Sequence, residues 1–325
     1  MLEEKIVEVW KGRKGREVYG ARKVWLELNR QGIPVARCTV ERLMRDLGIG
    51  GVRPRRKRPR TTVPGDPAGR PSDLLQRCFD APAPNRRWVA DITYVMTFSG
   101  WVYTSFVMDL FARRIVGWQV ADNLRSDLAL DALEMAIWAR RHEKIDGLVH
   151  HSDRGVQYTA IRYTERLEEA RAVRSVGSRG DSYDNAAAES LNSLYKRELI
   201  DFKKEWQGVD DVMLATMDWV SWYNEERLHS YCGDMPPKEC EEIYYRAWNL
   251  VRLEAVRRHS GLQTCRGDPA CQWDKISIQA PTPTDTAWSC ASTCPCLSRR
   301  SARQRSTCCA SRWRRPSASV PNGPV

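Results

Sequence analysis

Three acidic residues stand in contexts that could support chemistry. Asp91 interrupts the apolar, β-branched run Trp88–Met96 (WVADITYVM). Asp153 lies in HHSDRGVQY, just after a short apolar stretch, and Glu189 follows Ala186-Ala187-Ala188. Carboxylates are the usual ligands of hard divalent cations such as Mg²⁺. Two such ions about 3.5–4 Å apart can activate a nucleophilic oxygen and neutralise a leaving oxygen, which is what cutting or joining a phosphodiester requires. Each residue alone has a plainer reading. Asp91 could point to solvent from its strand, Asp153 could be a turn or N-cap residue, and Glu189 could be a surface helix glutamate.

Elements able to bring the three together are legible around them. Trp88–Met96, Trp101–Leu110 and Arg114–Val120 are β-branched and aromatic, parted by short turns such as Ser99-Gly100, and predict three antiparallel strands. An amphipathic helix is predicted over Asp127–Arg140, a strand over Gly147–His150, a helix over Arg162–Ala170 and a strand over Val173–Val176. Helices then follow over Asn185–Leu199, Asp210–Asn224 and Glu239–His259. The order βββαβαβα is that of an α/β, RNase H-like fold, a mixed sheet with helices on its faces. Asp153 would sit at the C-terminal end of a strand, where open α/β sheets place their ligands.

Upstream, Ala21–Gln31 carries Val24, Trp25 and Leu28 at helical spacing and is broken by Gly32-Ile33-Pro34. Thr39 could cap a second helix bearing Val40, Leu43, Met44 and Leu47, closed by Gly48. A basic run, including Arg55, Arg56, Lys57 and Arg58, comes next, so residues 1–60 read as a helix-turn-helix with a basic arm for DNA. Residues 61–80 read as a Pro/Gly-rich linker, 81–245 as the catalytic core, and 246–325 as a helix followed by a Cys/Arg/Ser-rich tail without periodicity. Net charge is +11 overall, divided as +10 over residues 1–60, −7 over 61–250 and +8 over 251–325. Basic ends flanking an acidic middle fit a chain that grips a polyanion at one place and gathers carboxylates at another. No run of 18 apolar residues occurs and the N-terminus lacks the apolar core of a signal peptide, so the expectation is a cytoplasmic protein.

From about Tyr19 to Cys240 the chain resembles the OrfB-type transposases of the IS-three insertion-sequence family, whose catalytic part is a retroviral-integrase-like core. The matching stretches are VYGARKVWLELNRQGIPVARCTVERLMRDLGI, WVADITYV, LFARRIVGW, HHSDRGVQY, VGSRGDSYDNAAAES and WYNEERLH, with 35 residues between Asp153 and Glu189. The resemblance implies that Asp91, Asp153 and Glu189 are the catalytic metal ligands for Mg²⁺ or Mn²⁺, as two ions. It further implies DNA-end nicking followed by 3′-OH strand transfer, a homo-multimer on DNA, and an OrfA product as possible partner. It also points to a basic residue seven positions past the glutamate, here Lys196. Two helical turns place Lys196 on the face of Glu189, where it could hold a phosphate.

Arg154, Arg179 and Tyr183 flank the catalytic turns as possible DNA contacts, and Asn192 and Ser193 lie near the Glu189 face. His150 and His151 are expected to have a structural or DNA-orienting role, since a metal-activated nucleophile needs no histidine base, and Asp109 is expected to make structural contacts near the site. Tyr223, Asn224, Arg227 and His229 match the family without an assignable role. Cys265, Cys271, Cys290, Cys294 and Cys296 lack the spacing of a zinc site. Two other functions stay in view: a nuclease that cuts without joining, and a noncatalytic DNA-binding remnant.

Overall fold

The computed structural model describes residues 1–13, 15–52, 79–153, 155–176 and 185–261. Three helices open the chain: α1 (Leu2–Lys11), α2 (Ala21–Arg30) and α3 (Arg37–Asp46). They bury Ile6, Val9, Val24, Leu28, Val40, Leu43 and Met44 against one another and against the core that follows. Helix α2 and the glycine that closes α3 match the sequence reading, Gly48 taking the left-handed φ of +66°. Thr39 is not the cap of α3. The helix starts at Arg37 after the extended Ala36, and the Thr39 amide donates to the Ala36 carbonyl from inside the first turn.

A five-stranded mixed sheet forms the centre: β1 (Arg87–Thr97), β2 (Gly100–Asp109), β3 (Arg114–Ala121), β4 (Val149–Ser152) and β5 (Val173–Val176). Their order is β3-β2-β1-β4-β5, with β1–β2 and β2–β3 antiparallel and β1–β4 and β4–β5 parallel. Strand β4 begins two residues later than its apolar run predicts. Gly147 turns the chain with φ of +74° and donates to Arg171, and Leu148 donates back to Ile145, so pairing starts at Val149. The delay brings the strand's end to Ser152, directly before Asp153.

Helices α4 (Ser126–Ala139), α5 (Val156–Thr159) and α6 (Ile161–Glu169) cover one face of the sheet, where Trp88, Ala90, Val107, Leu133 and Tyr163 share a core. The other face carries α7 (Ala186–Tyr195) and α9 (Val209–Glu225), which pack Leu191, Tyr195, Trp219 and Trp222 around Val89, Val95 and Phe106. The single helix predicted over Asn185–Leu199 is instead α7, a π-helical turn at Lys196–Ile200 and the short α8 (Asp201–Lys203). Within the wide turn Glu198 and Leu199 are buried. Helix α10 (Pro237–Gly261) closes the description and sends Glu241 inward to Arg140 at 2.5 Å. Among the described residues no helix is long and apolar enough to cross a membrane.

Candidate active site

Alternation along β1 sends Val89, Asp91 and Val95 to the face that α7 covers. Strand β4 pairs with β1 only as far as Ala90, so Asp91 is the first residue beyond that parallel ladder. Asp153 follows the last residue of β4, and Glu189 lies in the first turn of α7. Sheet order and helix packing thus bring residues distant in sequence to one end of β4.

The Asp91 carboxylate has two donors: Oδ1 accepts the Ile92 amide at 2.9 Å and Oδ2 accepts Asn192 Nδ2 at 2.9 Å. Burial pushes its pKa up to about 7, and the negative charges of Asp153 and then Glu189 push in the same direction. Asp153 is exposed, yet crowding by the chain also raises its carboxyl, opposed by the Gly155 amide that donates to Oδ1 at 2.9 Å. Gly155 is needed close to that carboxylate. A β-carbon there would stand 3.0 Å from Asp153 Oδ1 and 2.8 Å from Gln157 Oε1. Among the described residues no three His, Cys, Asp or Glu side chains close on a single point as a ready metal cage. The three carboxylates are near enough for Asp91 to feel both others, and mutual repulsion disfavours a tighter gathering until a cation is present.

The donor set fits a hard cation. Asp91, Asp153 and Glu189 offer oxygen alone, and the buried Oδ1 of Asn192, on the amide that holds Asp91, has no hydrogen-bond partner among the described residues. The sequence places Asn192 near the Glu189 face; the structure puts its amide on the Asp91 carboxylate. Tyr158 also escaped it. This buried side chain feels the charges of both Asp91 and Asp153, and its phenol is pushed well above its ordinary range, chiefly by burial. The period of α5 was too short to be seen in the sequence.

Lys196 sits at the C-terminal end of α7 with Nζ 4.4 Å from the centre of the Tyr94 ring. Arg55, Arg56, Lys57, Arg58, Arg154, Arg179 and Tyr183, and the cysteines from 265 onward, fall outside the described residues. His150 is buried against the Tyr163 hydroxyl at 3.1 Å and held neutral, its pKa lowered to about 3 by burial and by His151. His151 Nδ1 meets Ser175 Oγ at 2.8 Å. Asp109 is structural too. It accepts the amides of Asn85 and Phe111 and the Trp88 indole, and lies 3.8 Å from Arg140.

The WYNEERLH motif also has structural work. Asn224 caps the edge strand β3 by pairing with both backbone groups of Ile115, at 2.9 and 2.8 Å. Arg227 forms a buried, forked ion pair with Glu198, the shortest contact being 2.6 Å. His229 lies under Arg227 and is held neutral by burial and by that guanidinium. The Leu228 amide donates to the Tyr19 hydroxyl at 2.8 Å, which ties this segment to the N-terminal helices.

An HTH-like domain model matches residues 1–58, and integrase core domain models match residues 81–182 and 173–237. The chain is 57% identical to the IS986/IS6110 insertion-element transposase of Mycobacterium tuberculosis over 231 residues, 70% of this chain and 83% of the relative. It is 50% identical to the IS629 transposase of Shigella sonnei over 71% of this chain and 76% of that one. With the InsF transposase for IS3A of Escherichia coli it shares 34% identity over 70% of this chain and 78% of the relative. Among solved structures, the HTLV-2 integrase catalytic core in complex with magnesium aligns with 14% identity and a TM-score of 0.39. That alignment covers 50% of this chain and 99% of that one. Strand order and matched models define an integrase-core protein of the polynucleotidyl-transferase type. The chain belongs to the IS-three family of insertion-sequence transposases.

Proposed function

We propose that Asp91, Asp153 and Glu189 hold two divalent cations, Mg²⁺ or Mn²⁺, and that the chain cuts and rejoins DNA at the ends of an insertion sequence. The observation that carries this reading is geometric: Asp91 is the first residue beyond the β1–β4 ladder, Asp153 directly follows β4, and Glu189 lies in the first turn of α7, which Asn192 ties to Asp91. Carboxylates assembled against their own repulsion are stabilised by a bound cation.

When bound, the cations supply an activated nucleophile and neutralise the charge on the leaving oxygen. The chain supplies position. Asn192 fixes one oxygen of Asp91, the Gly155 amide fixes one oxygen of Asp153, and α7 carries Glu189 to them. In the first step water oxygen bonds to phosphorus at the element's end and the 3′-oxygen leaves as a 3′-hydroxyl. In the second, that hydroxyl attacks a target phosphodiester and displaces a target 3′-oxygen. Lys196, two turns from Glu189, offers its ammonium to a backbone phosphate. DNA is gripped by the N-terminal helices and the basic segment after them, in a homo-multimer on paired ends, with an OrfA product as candidate partner.

The test is a labelled duplex carrying the element's end, incubated with the protein and Mg²⁺, with Glu189→Gln as control. Nicked and joined products that vanish in the variant support the assignment. Products of cutting without joining would move it to a nuclease, and DNA binding without any product would move it to a binding module.

A further inference from the structure

Helix α7 has two working faces. At 100° per residue, Glu189, Asn192 and Lys196 share one side, while Ala187, Leu191 and Leu194 share the opposite side. That second side walls a cavity of about 480 Å³ between α2 and the 227–231 segment. Among the described residues three cations line it, Lys23, Arg113 and Arg227, and no carboxylate does. Glu198 neutralises Arg227. The Arg113 guanidinium donates to the Phe79 carbonyl at 3.0 Å and stacks 4.3 Å from the Tyr231 ring, and Lys23 Nζ stands 4.9 Å from the Tyr19 ring. Among the described residues neither Arg113 nor Lys23 has a carboxylate within ion-pair distance.

Apolar side chains line it too, among them Phe79, Met108, Leu191 and Leu194. The volume lies within the roughly 300–1,000 Å³ typical of small-ligand sites, so a bare phosphate would leave most of it empty. Cations and apolar side chains on one lining together suit a ligand with an anionic group on a flat apolar body. Burial and the nearby Arg227 push the Lys23 ammonium down to about 7, a strain that an anion would relieve.

We propose that this cavity binds a nucleotide unit, with its phosphate drawn to Lys23 and Arg113 and its base against the apolar side chains. Lys23 belongs to the N-terminal helices and the remaining walls to the core, so an occupied cavity ties the two together. The unit could come from a strand of DNA or from a free nucleoside phosphate, which share this chemistry.

The test uses the full chain in EDTA, where the carboxylate site is without metal. Calorimetric titration with dAMP, deoxyadenosine, inorganic phosphate and a short single-stranded oligonucleotide is repeated on Lys23→Gln and Ala186→Leu. The first variant removes a cation, and the second narrows the cavity without changing charge. Saturable binding of dAMP or the oligonucleotide, weakened about tenfold in Lys23→Gln and lost in Ala186→Leu, is the expected result. Tight dAMP binding identifies a free nucleotide as the source, and binding confined to the oligonucleotide identifies DNA. The proposal fails if neither probe binds, if both variants bind like the parent, or if inorganic phosphate binds as tightly as dAMP. Circular dichroism reports whether each variant is folded. Should Lys23→Gln unfold, Ala186→Leu decides alone. Because dAMP is titrated in EDTA and the variants lie on Lys23 and Ala186, the result is independent of the carboxylate assignment.

Discussion

Replacing Asp91 with Asn tests the electrostatics of the site without cutting any DNA. In the folded chain the carboxyl is raised from 3.8 to about 7. That rise corresponds to about 4 kcal/mol, an upper figure because the site relaxes and admits water. The folded state holds its proton where the unfolded state has lost it. Below pH 3.8 both states are protonated and the residue costs nothing. As pH climbs towards 7 the unfolded state ionises first and stability falls; above that the full penalty is present. Asn keeps the bond from Ile92, and a rotated Asn192 amide can present its Oδ1 to the new side chain, so the substitution adds little cost of its own. Urea unfolding in EDTA should therefore show Asp91→Asn more stable than the parent at about pH 8, by up to about 4 kcal/mol, and equal to it at about pH 4. Adding Mg²⁺ at the higher pH should raise the parent and leave the variant unmoved, because a ligand stabilises only the state that binds it. A gap that does not change with pH, or magnesium stabilising both proteins alike, would refute the reasoning.

Glu198→Gln should destabilise the protein by about 3–5 kcal/mol, since it strands the buried Arg227 without a counter-charge. The double replacement Glu198→Leu/Arg227→Met should cost less than that single change, and a single-variant loss under about 1 kcal/mol in urea unfolding would rule out the clamp. Asn224→Ala should expose both backbone groups of Ile115 at the sheet edge and cost about 1–3 kcal/mol. Hydrogen exchange at the Ile115 amide reads it directly, and unchanged protection would contradict the capping role.

Much of this fold is written in local patterns, and the exceptions have physical causes. Strands β1, β2 and β3 are long β-branched runs with short turns, so their pairing needs no distant information, and β5 falls where Val173–Val176 predicts it. Helix α1 went unassigned although Leu2, Ile6, Val9 and Trp10 recur at helical spacing, with Ile6 and Val9 buried. The end of α7 was invisible because a π turn keeps helical residue types. What betrays it is the inward Glu198, whose partner lies 29 residues away. Distance in sequence also hides the role of WYNEERLH: Asn224 answers to Ile115 across 109 residues, Arg227 to Glu198 across 29 and Leu228 to Tyr19 across 209. The carboxylates were legible as a spacing, but their shared electrostatics, and the amide of Asn192 on Asp91, exist only once β1 and α7 meet.

That meeting has a mechanical consequence. Helix α7 bears Glu189 near its start and continues into the turn that carries Glu198. Glu198 holds Arg227, and the residue after Arg227 donates its amide to Tyr19, the last anchor before α2. Arg22 on α2 in turn pairs with Asp234, and Arg16 with Asp218 on α9. A displacement of the N-terminal helices therefore reaches the turn that follows the carboxylate helix by way of the buried Glu198–Arg227 pair, beside the shared core and the exposed pairs of Arg22 and Arg16. Buried charges tolerate little sliding, because separation strands both in a poor solvent. The N-terminal helices and the helix that carries Glu189 are thus coupled through this pair.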